Sequence, residues 1–341
     1  MSTAIFETGQ ETEFLRLAEA QHLKRFIILC DARTHGFCLP PLHKLMPALQ
    51  ECARIVVPAG EANKNADTCT LIWKQLQDLN VQRGTALICL GGGTLLDLGG
   101  FAAAVYKRGT PVLYIPTTLL AMTDACLGGK TGVDFNGAKN LLGLFSDPLA
   151  IYLNPLFLQT LPERIRRAGF AEMIKHALLS GKKEWQEVQQ WSEDDFAQSA
   201  NVRKSLSFKE HIVNQDPKDQ GIRQCLNLGH SIGHALESSA LGTAAEWLHG
   251  EAVMLGLAAE LWLSEQLCGL NPSVRLDFIS LRERHFPDLE AACDEAKVHT
   301  FLQQDKKNDG TLRMSLLRSP GEPQWGVAVS QELAMEALQH L

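Results

Sequence analysis

A chain of 341 residues, 45% hydrophobic and 21% charged, has a globular rather than a disordered composition. It is longer than the ~250 residues at which single hydrophobic cores stop growing, so two domains are expected. The formal net charge of -7 excludes a general attraction to nucleic acid or to an anionic membrane surface, and an anionic ligand would need a local cationic site.

The opening segment, MSTAIFETGQETEF, has no basic stretch followed by an apolar one, and no apolar run is long enough to cross a bilayer. Short β-branched runs at 26–30, 54–58, 86–90, 112–118 and 150–154 alternate with segments of helical length. That alternation predicts βαβ units and a largely parallel sheet in an α/β domain over 1–155. Beyond Pro155 it fades, and apolar residues recurring three and four apart predict a mainly α-helical domain over 156–341. Thr160 and Glu163 have capping-box spacing and predict a helix running from there towards Gly181. The polar stretch 181–225, with Trp185 and Trp191 among charges, reads as one or two amphipathic helices. Nine scattered cysteines, mostly in apolar runs and without a C-x-x-C pair, read as buried free thiols in a reducing, cytoplasmic setting.

Gly91, Gly92 and Gly93 follow the apolar run ALICL and precede TLLDLGGFAAAVY, which has helical spacing. A strand, a glycine turn and a helix N-terminus form a phosphate site, because the backbone can approach closely and free amides attract negative charge. Past the next strand, PTTLLAMTDACLGGKTGVDFNGAKN carries Thr117, Thr118, Asp124, Lys130, Lys139 and Asn140, and reads as a ligand-embracing loop. A third strand end, PAGEANK, offers Glu61 and Lys64. Open α/β sheets bind ligands at such carboxyl ends.

The helical half concentrates a different chemistry. GFAEMIKH places Glu172, Lys175 and His176 on one helix face, NLGHSIGHALE places His230 and His234 four apart, and WLHGEAV adds His249. A carboxylate with imidazoles suits zinc or a similar divalent ion, and residues at i and i+4 share a face. Spacing alone leaves two pairs open, His230 with His234 or Glu172 with His176. Arg108, Lys209, Arg223, Lys306 and Lys307 supply positive charge for a carboxylate or phosphate. Arg223, Asn227 and His230, spaced at four and three, are expected along one helix. DKKNDG at 305–310 is no calcium loop, since Lys307 occupies a ligand position and the twelfth position is Leu316.

In order and spacing these segments resemble the signatures of the 3-dehydroquinate synthase family, within the sugar phosphate cyclases, over about residues 54–318. The resemblance implies a Rossmann-like N-terminal domain with a parallel sheet, an α-helical C-terminal domain and a homodimer. It implies Glu172, His230 and His249 as ligands of Zn2+ or Co2+, which makes His234 an acid/base or phosphate-contacting residue instead of a ligand. NAD+ contacts are implied for Asp31, Glu61, Lys64, Gly92, Gly93, Asp97, Thr117, Thr118, Lys139 and Thr160. Substrate contacts are implied for Asp124, Lys130, Asn140, Lys175, Lys209, Arg223, Asn227, His234 and Lys306 or Lys307, with Arg108 reaching the phosphate bound by the partner subunit. The substrate so implied is 3-deoxy-D-arabino-heptulosonate 7-phosphate. His176 stands where the family commonly has tyrosine, Gly132 and Asp134 alter the usual loop wording, and His249 follows His230 by a slightly longer connection.

Three rival readings remain at this point. A sister cyclase acting on a sugar phosphate without a carboxylate would share the cofactor and metal residues, but Lys209, Arg223 and Asn227 suit a carboxylate. A polyol dehydrogenase would need fewer cations, and a non-catalytic NAD-binding protein would show gaps among the chemical residues.

Overall fold

A computed structural model of the protein describes residues 3–136, 138–240, 242–243, 246–304 and 311–341. The chain divides into two compact units, Met1–Pro162 and Glu163–Leu341.

In the first unit the strands are β1 (Ala4–Glu7), β2 (Arg25–Asp31), β3 (Ala53–Val57), β4 (Thr85–Gly91), β5 (Val112–Pro116), β6 (Lys130–Phe135), β7 (Ala138–Phe145) and β8 (Ala150–Leu153). Six of them form a sheet in the order β1-β8-β5-β4-β2-β3, with every pair parallel. The helices α1 (Glu11–Ala20), α2 (Ala32–Phe37), α3 (Leu39–Leu45), α4 (Ala66–Asp78) and α5 (Gly93–Val105) lie between these strands in sequence. Strand β4 is buried along its whole length and β2 from Ile27 to Cys30, as expected of parallel strands covered on both faces. Strand β1, absent from the sequence reading, is a short edge strand held by β8.

The segment read as a ligand-embracing loop has more regular structure than expected. It contains a π-helical turn, Ala121–Ala125, and the antiparallel hairpin of β6 with β7. Most of β7 is exposed on both faces, so it lacks the alternation that marks a half-buried strand.

The second unit contains α6 (Glu163–Ser180), α7 (Lys182–Val188), α8 (Glu193–Phe196), α9 (Ser199–Gln215), α10 (His230–Ala240), α11 (His249–Cys268), α12 (Pro272–His285), α13 (Glu295–Gln304) and α14 (Gln331–Glu336). An antiparallel hairpin, β9 (Leu312–Ser319) with β10 (Glu322–Val329), joins the helices. Leu236, Leu255, Leu263, Leu312, Leu316 and Val329 share its core. Helix α11 is buried without interruption from Gly250 to Ser264, the signature of a central helix.

Helix α6 begins at Glu163, so Thr160 is not its cap: Thr160 ends a separate 3-10 turn, Pro155–Thr160. Pro162 explains the difference, since the residue before a proline is pushed out of the helical region and Leu161 is extended, at φ -77 and ψ 129. Arg223 and Asn227 also do not share a helix with His230. They lie on a 3-10 turn, Ile222–Asn227, and the chain turns at Gly229, with φ +80, before α10 starts.

All nine cysteines are free, six of them buried, and burial pushes the Cys69 thiol up to about 12. No helix among the described residues is long and apolar enough to cross a membrane.

Helix α2 opens with a capping box. Asp31 Oδ1 accepts from the backbone N–H groups of Arg33 and Thr34, both at 2.8 Å, and Thr34 Oγ1 accepts from Asp31 N–H at 2.9 Å. Replacing Asp31 with alanine is expected to lower stability by about 1 kcal/mol. The check is a urea unfolding midpoint that falls with no change in slope.

Candidate functional site

In the first unit the ends of β3, β4 and β5 gather the residues of the three strand-end segments. Helix α5 starts at Gly93 with Gly92 as its N-cap, no side chain capping it and no acidic residue in its first turn. Its first amides are therefore open to an anionic ligand, where the helix dipole favours negative charge. Thr117 follows β5, is buried and donates its backbone N–H to Gly91 at 2.9 Å. Thr118 Oγ1 accepts from Ala121 N–H at 3.2 Å, capping the turn that holds the half-buried Asp124. Gly92 lies beside Thr118, whose Cγ2 would be 3.0 Å from a Cβ added at Gly92.

Lys64 organises this end of the sheet. It is 4% exposed, and its Nζ donates to Asp97 Oδ2 at 2.6 Å and to Asn140 Oδ1 at 2.7 Å, with Glu61 Oε1 at 4.0 Å. Burial opposes the charge on Lys64, but Asp97 and Glu61 outweigh it and raise its pKa. Burial pulls Asp97 up to about 6, with Lys64 working against that rise. Two further residues, which the sequence reading did not assign, complete the cluster. Thr94 donates to Glu61, and Asp134 Oδ1 accepts from Asn140 N–H at 2.8 Å, holding Asn140 at φ +52. Asp134 also donates its own N–H to the Lys64 carbonyl at 2.8 Å.

Elsewhere in this unit Lys139 is half-buried, while Lys130, Arg108 and Thr160 are exposed. Arg108 lies in the turn after α5 at φ +65. Asp31, at the end of β2, has one carboxylate oxygen committed to its own helix cap.

In the second unit three helices converge on one point. Glu172 lies in the fully buried part of α6 and is 0% exposed, His230 is the first residue of α10, and His249 is the first residue of α11. Glu172 Oε1 is 3.5 Å from His230 Nε2 and 3.9 Å from His249 Nε2. His234, one turn along α10, joins them: the nitrogens of His230, His234 and His249 lie within 4.8 Å of one another. The other ring nitrogens are engaged, which orients the rings. His230 Nδ1 is 3.2 Å from the Leu228 carbonyl, and His249 Nδ1 is 3.4 Å from Glu237 Oε2. Such contacts to the second nitrogen fix the tautomer of a metal-binding histidine.

Two properties of this cluster fit a divalent cation. Lys175 Nζ pairs with Glu172 Oε2 at 2.5 Å, but Oε1, the oxygen that faces His230 and His249, has no hydrogen-bond partner. A buried carboxylate with uncommitted lone pairs is costly unless a cation meets it. Burial, then the Lys175 charge, holds the His230 pKa well below its usual value, so its imidazole stays neutral and able to ligate. His176 is also near, with Nε2 3.9 Å from Glu172 Oε2, but its Nδ1 pairs with Ser205 Oγ at 2.8 Å and its ring packs on Phe208.

Three cations named in the sequence are held inside this unit. Lys175, Lys209 and Arg223 are each buried. Asp216 arranges the loop before Arg223 by accepting backbone N–H groups from Gln220 at 3.0 Å, Gly221 at 2.6 Å and Arg223 at 3.1 Å, and these donors hold its carboxyl below the usual range. Arg223 Nη1 donates to the Pro217 carbonyl at 2.9 Å. Asn227 is exposed. Lys306 and Lys307 lie outside the described residues.

Residues 54–168 match the family model of the 3-dehydroquinate synthase N-terminal part, and residues 169–308 match that of its C-terminal part. A 3-dehydroquinate synthase from Parabacteroides distasonis is 38% identical over 319 residues, 92% of this chain and 90% of that protein. One from Nitrosomonas europaea is 39% identical over 309 residues, 87% of this chain and 83% of that one. Among solved structures, a 2-epi-5-epi-valiolone synthase from Streptomyces hygroscopicus with NAD+ and Zn2+ bound superposes with a TM-score of 0.84 at 27% identity, over 99% of this chain and 96% of that one. A 2-deoxy-scyllo-inosose synthase complexed with carbaglucose-6-phosphate, NAD+ and Co2+ gives 0.86 at 23%, with the same coverage, a likeness of fold. An iron-containing alcohol dehydrogenase from Thermotoga maritima shares the fold at 0.69 and 13%, over 99% of this chain and 97% of that one.

Proposed function

The chain belongs to the 3-dehydroquinate synthase family, and from that membership we propose that it converts 3-deoxy-D-arabino-heptulosonate 7-phosphate into 3-dehydroquinate and phosphate, as a cytoplasmic homodimer. The observation that carries this reading is the meeting of Glu172 with His230 and His249 in a unit that also buries Lys175, Lys209 and Arg223. A divalent-ion site beside buried cations suits a substrate that carries both a carboxylate and a phosphate.

In this reading Glu172, His230 and His249 hold Zn2+ or Co2+, and the N-terminus of α5 with Gly92, Thr117 and Thr118 binds NAD+. When bound, the two groups supply a hydride acceptor that returns its hydride and a Lewis acid for the substrate oxygens. The residues of the chain do the rest. Lys209 and Arg223 bind the substrate carboxylate and phosphate, and their burial keeps those charge pairs strong and fixed in direction. Asn140 and Lys130 orient hydroxyl groups, and Asp124 accepts a hydrogen bond from the substrate. His234, exposed at the rim of the histidine cluster, contacts the phosphate and moves a proton there. Arg108 of one protomer reaches the phosphate bound by the other. Lys64 and Asp97 hold the cofactor end of the sheet in register, and Glu61, Lys139, Thr160 and Asp31 contribute to the NAD+ contacts. Elimination and ring closure then depend chiefly on holding the substrate in a reactive conformer.

The likeness to a 2-epi-5-epi-valiolone synthase and to a 2-deoxy-scyllo-inosose synthase gives a second reading, a cyclase acting on a phosphate without a carboxylate. One incubation separates them: purified protein with the heptulosonate phosphate, a divalent metal and a trace of NAD+. Phosphate and dehydroquinate released together, in molar excess over NAD+, are expected. Neither product from folded, metal-loaded protein overturns the proposal, and turnover of sedoheptulose 7-phosphate or glucose 6-phosphate instead establishes the second reading.

A further inference from the structure

We infer that Glu260 is a positioning residue for the metal centre, its buried carboxylate fixing the N-terminus of α10 and so the direction of His230. The inference rests on the reading of Glu172, His230 and His249 as a metal site. Glu260 is 0% exposed. It lies about three turns along α11 from His249, on the helix whose start contributes that histidine. Its Oε2 accepts from Gly229 N–H at 2.5 Å and its Oε1 from Ile232 N–H at 3.0 Å.

The first amides of a helix have no partner within it, and a local Ser, Thr, Asp or Asn usually supplies one. Here the residue before α10 is Gly229, which has no side chain to offer. The partner comes instead from a neighbouring helix, and its two oxygens meet amides on both sides of His230. The backbone that carries the imidazole is thereby tied to α11.

The neighbouring residues are built for this contact. A Cβ at Gly256, one turn before Glu260, would stand 2.1 Å from the Gly229 carbonyl oxygen and 2.9 Å from Gly233 Cα, so only glycine lets α11 come this close. Below Glu260, Ser264 Oγ donates to the Glu260 carbonyl at 2.6 Å and accepts from Leu317 N–H at 3.0 Å, which anchors this stretch of α11 to β9. Both Glu260 oxygens act as acceptors. A glutamine would set an N–H group against one of the two backbone donors and lose that bond.

The test uses the full-length protein loaded with Co2+, comparing wild type, Glu260→Gln and Glu260→Asp. Co2+ affinity is read by competition with a chelator, ligand geometry by the visible absorption of bound Co2+, and NAD+ affinity serves as the control in the other unit. Glu260→Gln is expected to weaken Co2+ binding by roughly 10–100-fold, as loss of an outer-shell contact does, and to shift the absorption bands while NAD+ affinity stays unchanged. Glu260→Asp, which keeps two acceptors on a shorter stem, is expected to recover part of the affinity. A Glu260→Gln protein that melts at a lower temperature but binds Co2+ with wild-type affinity and spectrum overturns the inference, because Glu260 would then serve stability alone. Should Glu260→Gln fail to fold, a Glu260→Asp protein that melts at a lower temperature yet keeps wild-type Co2+ affinity and spectrum overturns it, because the shorter stem has then weakened the cap without moving His230. A wild-type protein that binds no Co2+ overturns the metal-centre reading itself.

Discussion

Glu172→Gln should leave the protein folded but unable to retain its divalent ion on dialysis, with turnover lowered by roughly a thousandfold or more. Loss of several kcal/mol of charge stabilisation produces an effect of that size, each 1.36 kcal/mol being tenfold in rate. Glu172 is the anionic member of the cluster, and it sits 3.5 Å and 3.9 Å from the two histidine nitrogens it would share an ion with. The choice of glutamine matters, because Lys175, 1% exposed, lies 2.5 Å from Glu172 Oε2. Glutamine keeps an oxygen for that ammonium, whereas alanine leaves a buried charge without its partner, at a cost of ~3–5 kcal/mol. Glu172→Ala should therefore lose both metal and much of its stability. Metal content after dialysis, a thermal melt and a turnover assay separate the two effects. Near wild-type activity or a full equivalent of metal in Glu172→Gln would overturn the ligand assignment.

The second large effect is one of packing. Gly250 follows His249, and a Cβ built there would stand 1.8 Å from the Ala168 carbonyl oxygen and 2.6 Å from its carbonyl carbon. The obstacle is backbone, in the same helix as Glu172, so no side-chain rotation can relieve it. Gly250→Ala is expected to cost about 3 kcal/mol, the upper part of the range for overpacked cores, and to separate the starts of α6 and α11. Its melting temperature should fall by several degrees, and its metal affinity with it. Gly36→Ala provides the control, since a Cβ at Gly36 meets nothing within 4 Å. A Gly250→Ala protein as stable as that control would contradict the close helix contact.

Much of the fold was legible because its strands are of one kind. FIILC, ALICL and the AIYL of AIYLN are uninterrupted runs of apolar and aromatic residues, as parallel strands covered on both faces must be, and they correspond to β2, β4 and β8. The hairpins were not legible, because β7 is exposed on both faces and β9, LRMSLLRS, breaks its alternation at Leu316–Leu317 in a helical half. Both depend on pairing with a partner strand, which local periodicity does not report.

In the candidate site, residue types and their order could be read along the chain: the glycine turn ahead of α5, the carboxylate and histidines, the basic residues, and the family those motifs resemble. Spacing within a helix reports only which side chains share a face, so it offered His230 with His234 and Glu172 with His176 as equal pairs. The tertiary structure decided that His230 and His249, the opening residues of two helices, both point a nitrogen at Glu172 of a third. It also broke the expected run from Arg223 to His230 at Gly229 and put Glu260, thirty residues on from His230, at the start of α10. The physical reason is the same in each case. Metal ligation and helix capping depend on distances of about 2–3 Å between atoms, and across helices those distances are set by how closely α6, α10 and α11 pack, which glycines at 250 and 256 permit and no local pattern records.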